Sequence, residues 1–218
     1  MNYIPINQDL KLQLVKSLSK LGFSENNSLL RGLYFNDITQ TKAVIIDYKI
    51  CDQLYPFSYT EYTKEQNNLM DNYLSVYRFT IDNTADIKKL GIELSSYLDK
   101  NFKEDGIKVN GANRALAEVD PTIPESYFEQ AFIEIYGRES LNKVEREFPI
   151  IDINGQTRWV DYIVRHKKYN IAIEKNVETY HHPIITQRIG YKKQLIKQNS
   201  LVAYGYNKVS PNRWTENR

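Results

Sequence analysis

Two short apolar runs near the C-terminal end restrict what this chain can build more than any other feature. TRWVDYIV (157–164) and IAIEKN (171–176) both read as strands, and the polar turn RHKKYN separates their centres. A connection that short joins antiparallel neighbours, because parallel strands need a crossover of a dozen residues or more. Strand side chains alternate between the two faces of a sheet. A tight turn about Lys167-Lys168 pairs residues whose numbers sum to 335, which sets Asp161 directly opposite Glu174 on one face. Two carboxylates at that spacing repel each other. A divalent cation relieves the repulsion, since Mg²⁺ accepts one or two carboxylates together with waters and substrate phosphate. The competing reading is a pair of solvent-facing acids matched to nearby Lys or Arg, and spacing alone leaves both open.

The elements around this hairpin alternate in type. Residues 8–22 place Leu10, Leu14, Leu18 and Leu21 at helical spacing before Gly22. AVIIDYKI (43–50) and YLSVYRFTI (73–81) read as strands, and 86–102 as a helix with Ile87, Leu90, Leu94, Tyr97 and Leu98 inward. The polar, glycine-containing stretch 104–113 is the best linker, dividing a 1–115 α+β region from a 116–218 domain. That domain opens with Thr122 as a candidate N-cap, Pro124 in the first turn and Glu125 at the capping-box position. Phe128, Phe132, Ile135 and Tyr136 then share one helix face, and Gly137 ends it. A strand over 147–153, an Asn154-Gly155 turn, the hairpin, a basic helix over about 185–199 and a strand at LVAYGY (201–206) complete an α/β order around a mixed sheet. No internal sequence repeat is apparent.

Composition narrows the functional classes. The single cysteine, Cys51, allows no internal disulfide and no four-cysteine zinc site, and reads as a core thiol. No stretch approaches 18 apolar residues and the N-terminus has no apolar run, so neither a membrane span nor a secretory signal is expected, and a cytoplasmic setting is. The near-neutral total hides an asymmetry. Residues 157–218 carry twelve Lys/Arg against four Asp/Glu, whereas residues 1–156 carry seventeen against twenty-three. The basic end is where a polyanion would bind.

At this point the residues resemble a family. Asp161-x12-Glu174-Lys175-Asn176, preceded by a helix that carries Glu129, resembles the PD-(D/E)XK nuclease superfamily. IAIEKN…TYHHP, then YKKQL, then GY…V…RW, is similar to its very-short-patch-repair endonuclease-like branch, of the kind found at the N-terminus of bacterial DEAD/DEAH-type helicases. The resemblance covers about residues 123–214. It implies a restriction-endonuclease-like mixed sheet flanked by helices, and a Mg²⁺- or Mn²⁺-dependent endonuclease acting on DNA. It also implies a setting beside a helicase region or partner subunit, in restriction or phage defence. Asp161 and Glu174 would ligate the metal, with the backbone carbonyl of Lys175 as a third ligand, and Glu129 would lie at the edge of the active site. Ser126-x-x-Glu129 is equally a capping-box pattern.

The motif departs from the superfamily at one position. A lysine is called for two residues after the acid, and Asn176 stands there. By alternation Asn176 shares the Glu174 face while Lys175 points away, and an asparagine cannot carry the positive charge. Lys192 or Lys193, on the next helix, are the alternative sources. In the narrower branch a histidine helps instead, which makes His181 and His182 candidates for moving a proton. His166 lies in the basic turn and reads as solvated. A zinc site from His181, His182 and Glu174 is disfavoured because adjacent strand histidines point apart. Gln187-x-x-x-Tyr191 on that helix matches a further pattern of some nucleases of the superfamily, and Tyr180 and Trp214 are aromatic enough to stack on bases.

Arg188, Lys192, Lys193 and Lys197 recur on or near one side of the basic helix and are the expected phosphate contacts, giving affinity that is mostly blind to base sequence. A nuclease competes with a DNA-binding module of a helicase that has lost cleavage, and with a metal-free scaffold whose basic end docks an acidic protein. If the helix lies on the phosphates, Lys193→Ala weakens DNA binding and lowers the slope of log affinity against log salt by about 0.9. A slope equal to wild type removes this side chain from the footprint.

Overall fold

The structure is a computed structural model, and it describes residues 4–28, 32–52, 66, 68–73, 75–99, 123–165, 170–174, 183–206 and 208–211. Helix α1 (Gln8–Ser19) starts where Asn7 caps the Asp9 amide and buries Leu10, Leu14 and Leu18. Strands β1 (Phe23–Ser28), β2 (Gly32–Asp37) and β3 (Lys42–Tyr48) follow as an antiparallel meander, and β4 (Ser75–Ile81) joins β3 in parallel. Helix α2 (Thr84–Leu98) is capped by Asn83 and buries Ile87, Leu90, Leu94 and Tyr97. Helix α3 (Ile123–Tyr136) then leads through a 3₁₀ turn (Arg138–Lys143) into β5 (Val144–Ile151). Strands β6 (Thr157–Arg165) and β7 (Asn170–Glu174) extend an antiparallel meander, helix α4 (Pro183–Ala203) crosses over, and β8 (Lys208–Pro211) runs parallel to β7.

The molecule is therefore mixed α/β, built on two four-stranded mixed sheets. Each sheet keeps its strands in chain order, with two antiparallel pairings followed by one parallel pairing. Each also follows a helix, α1 or α3. The arrangement thus repeats although the sequence shows no repeat: a sheet topology is fixed by where strands start and how they connect, and many apolar alternations satisfy it.

Several sequence readings shift on this framework. The FSENNS and GLYFND strands, β1 and β2, show no apolar alternation in sequence because polar residues interrupt them. LVAYGY, read as a strand, is the end of α4 (buried Leu201, Val202 and Ala203) and a turn at Gly205, with the strand beginning only at Lys208. A short apolar run does not distinguish a buried helix end from a strand. The 104–113 linker lies outside the described residues. One core cluster draws Leu14, Phe35, Ile45, Ile81 and Leu94 from the first sheet and its helices, and Val160, Ile163, Ala172 and Leu201 from the second, so the two halves share an interior.

Helix α4 is what joins them. It packs against β4 and contacts β8. Asn199 on α4 accepts the Arg78 amide at 2.9 Å and donates to the Arg78 carbonyl at 2.8 Å. Arg78 in turn forks onto the Asp47 carboxylate (2.8 and 3.0 Å), donates to Gln66 Oε1 at 3.2 Å, and Asp47 accepts the Tyr191 hydroxyl of α4 at 3.3 Å. Both charged side chains are 1% exposed. A buried pair adds little over an apolar core, but losing one partner strands the other charge. Arg78→Met and Asp47→Asn should each cost about 3–5 kcal/mol in urea unfolding, and the double variant much less than their sum. Additive losses would show that the pair is not coupled.

Candidate metal and nucleic-acid site

The β6–β7 ladder pairs Tyr162 with Ile173, Ile163 with Ala172, Val164 with Ile171 and Arg165 with Asn170. This is the register expected from the turn, and its next rung sets Asp161 opposite Glu174. Ile163 and Ala172 pack into the shared core, whereas Tyr162 and Ile173 pack under α3 with Phe128. By alternation the two carboxylates belong to the core-side face, the one α4 covers.

Glu174 is held there by α4. Lys197 Nζ lies 2.6 Å from Glu174 Oε2, and the Glu174 side chain is only 12% exposed. Its other oxygen, Oε1, completes no hydrogen bond among the described residues. Burial pushes the Glu174 carboxyl up to about 7; Lys197 and the nearby Asp161 backbone amide hold it down, and the Asp161 charge pushes it further up. A carboxylate with this environment has an oxygen to offer and an internal cation already beside it. Among the described residues, no cluster of three or more His, Cys, Asp and Glu is gathered closely enough to hold a metal. Two carboxylates suffice for Mg²⁺, which keeps several waters.

Glu129 goes elsewhere. Its Oε1 accepts the Tyr162 hydroxyl at 2.8 Å and its Oε2 pairs with Arg146. Tyr162 follows Asp161 along β6 and so points to the other face, and Phe128 packs on its ring at 4.4 Å between centroids. The structure thus separates Glu129 from the Asp161–Glu174 pair and gives it a bracing role between α3, β5 and β6.

The basic helix is also more occupied than its sequence implied. Arg188 pairs with Asp82 (2.9 Å) and Asp52 (3.7 Å), and Lys192 with Asp86 (2.9 Å). Lys197, grouped by sequence with the phosphate contacts, is the residue on Glu174. Lys193 is exposed, with no ion pair among the described residues. Lys175, Asn176, His181 and His182 lie outside the described residues, as do His166, Tyr180 and Trp214. α4 breaks its helical path at Gln187 (φ 57°), directly before Arg188. Cys51 is partly buried against Ile50, Tyr191 and Leu195, and burial pushes its thiol up to about 11.

Sequence reading assigned Lys197 a different role, as a phosphate contact, and assigned Glu147 none. Helical periodicity left Lys197 undistinguished from its neighbours; only the packing angle of α4 selects it. Glu147 was merely the start of a strand, yet it has φ 42° and sits at the β5–β6 rung of Asp161, where the ladder misses a pair. A non-glycine residue in that conformation is strained by about 1–3 kcal/mol, and no sequence signal marks it. No family model, no curated protein and no solved structure matches the chain.

The raised Glu174 carboxyl has a sign that can be measured. Between about pH 4.5 and 7 the folded protein keeps this proton and the unfolded chain has lost it, so the group costs stability as pH rises through that window. In EDTA, the stability of Glu174→Gln relative to wild type should climb by about 1.4 kcal/mol per pH unit across it and level off above. A difference that stays flat from pH 4.5 to 8 means Glu174 titrates as an ordinary surface acid.

Proposed function

We propose that the chain is a metal-dependent DNA endonuclease, with the second sheet and its helices forming a restriction-endonuclease-like domain. The reading rests foremost on the β6–β7 register: carried one rung past Tyr162 and Ile173 it sets Asp161 opposite Glu174 on one face, where Glu174 Oε1 is buried with no hydrogen-bond partner among the described residues. The order of this half, helix, three antiparallel strands, helix and parallel strand, supports it, as does the surplus of positive charge after residue 157.

Asp161 and Glu174 would hold a Mg²⁺ or Mn²⁺ ion, with the Lys175 carbonyl as the third ligand that the family resemblance implies. The donor set fits such an ion, being hard oxygen from two carboxylates that would otherwise repel. Bound there, the ion supplies a water of lowered pKa and stabilisation of the departing oxygen of a phosphodiester. Lys197 gives this carboxylate a positive charge that Asn176 cannot. His181 and His182 are the residues proposed to hold or pass a proton. Lys193 is the exposed cation on α4 for a phosphate, while Arg188 and Lys192 reach DNA only by leaving Asp82, Asp52 and Asp86. A helicase region or a partner subunit remains the proposed setting.

The test is cleavage of single- and double-stranded DNA in Mg²⁺ and in Mn²⁺, beside a binding assay on the same substrates. Asp161→Asn and Glu174→Gln should lower the rate by more than the roughly 10–100-fold typical of groups that only support a ligand, with DNA affinity and fold retained. Near-wild-type cleavage by either variant would falsify the site. DNA binding without cleavage in either metal selects the module that has lost catalysis.

A further inference from the structure

We infer that Asn199 is a positioning residue: by gripping the backbone of Arg78 it fixes where α4 carries Lys197 against Glu174, so that the first sheet sets the geometry of the site on the second. The inference rests on the metal-site reading above. β4 is an edge strand of its sheet, so the amide and carbonyl of Arg78 that face away from β3 have no strand partner. Asn199 takes both, accepting at 2.9 Å and donating at 2.8 Å. A primary amide carries its donor and its acceptor on two separate atoms, and so it mimics an adjoining strand here. With the amide satisfied at both ends and 1% exposed, neither its rotation nor its height along β4 is free.

Lys197 is two residues earlier on the same helix, about 200° round and about 3 Å along the axis. A side that meets β4 through Asn199 therefore turns Lys197 toward β7, and the 2.6 Å contact with Glu174 follows. Sliding α4 by one residue would move Lys197 about 1.5 Å along the axis and about 100° around it, which breaks that contact. The other anchors from α4 to the first sheet and α2 are farther away or weaker. Arg188 and Lys192, themselves partly exposed, hold Asp82 and Asp86 about one and a half to two and a half turns off, the Tyr191 hydroxyl reaches Asp47 at 3.3 Å, and the Tyr97 hydroxyl reaches the Ile196 carbonyl at 3.4 Å.

Mn²⁺ affinity by calorimetry, together with cleavage kcat and KM, tests this on wild type, Lys197→Met, Asn199→Ala and the Lys197→Met/Asn199→Ala pair. Removing the ammonium that competes for Glu174 should tighten Mn²⁺ binding and lower kcat with KM for DNA little changed. Asn199→Ala should move both in the same directions, and the double variant no further than Lys197→Met alone. If Asn199→Ala does not fold, Asn199→Asp, which keeps the acceptor for the Arg78 amide, serves in its place. Effects that multiply in the double variant, or an Asn199 variant with wild-type Mn²⁺ affinity beside an altered Lys197→Met, overturn the inference. Wild-type protein that binds no Mn²⁺ overturns the metal site itself, and the inference with it.

Discussion

Arg78 is the residue on which the arrangement turns. Its guanidinium satisfies the buried Asp47 carboxylate through two bonds, and its backbone satisfies Asn199 through two more. Buried polar groups are costly unless every donor and acceptor is matched, and once matched they permit one docking register rather than many. A purely apolar face between α4 and β4 would tolerate sliding. The Arg78 network does not, and α4 is consequently held at a defined height between the two sheets.

That constraint explains how the second sheet can keep a carboxylate in an environment that disfavours its charge. Glu174 is almost wholly removed from water and has Asp161 across the ladder. Even with Lys197 beside it, burial and the Asp161 charge hold its carboxyl above the ordinary carboxylate range. Lys197, delivered by α4, supplies one positive charge, and an oxygen is left over. The two sheets handle an equivalent problem differently. On β3, Asp47 has both oxygens taken by Arg78 of the neighbouring strand; on β7, Glu174 has one oxygen taken by a helix lysine. Closing the first carboxylate makes it a structural joint, and the partial closure of the second leaves chemistry open.

Much of this was legible in the sequence where a local rule decides it. The hairpin register follows from a short turn and strict alternation, and the Tyr162–Ile173 pairing agrees with it. Leucine spacing located α1, and glycine stops marked its end and that of α3, with Gly22 and Gly137 at φ near 80°. What sequence could not supply was anything set by the angle between elements. Glu129 satisfied a family pattern and a capping pattern alike, and the side on which α3 packs gave it to Tyr162 and Arg146. The helix cations formed a plausible phosphate row, yet the acids that meet Arg188 and Lys192 are about a hundred residues away in sequence. The joining of the two halves through Asn199 and Arg78 is likewise invisible to any window of local length, because the partners are 121 residues apart.

The central claim is that Asp161 and Glu174 converge on one cation beneath α4. Anomalous scattering from crystals soaked in Mn²⁺ tests it most directly. The expected map has a single strong peak within coordination distance of a carboxylate oxygen from each residue, with the Lys197 ammonium drawn back from Glu174. A map with no peak between them, and Lys197 still seated on Glu174, would contradict it.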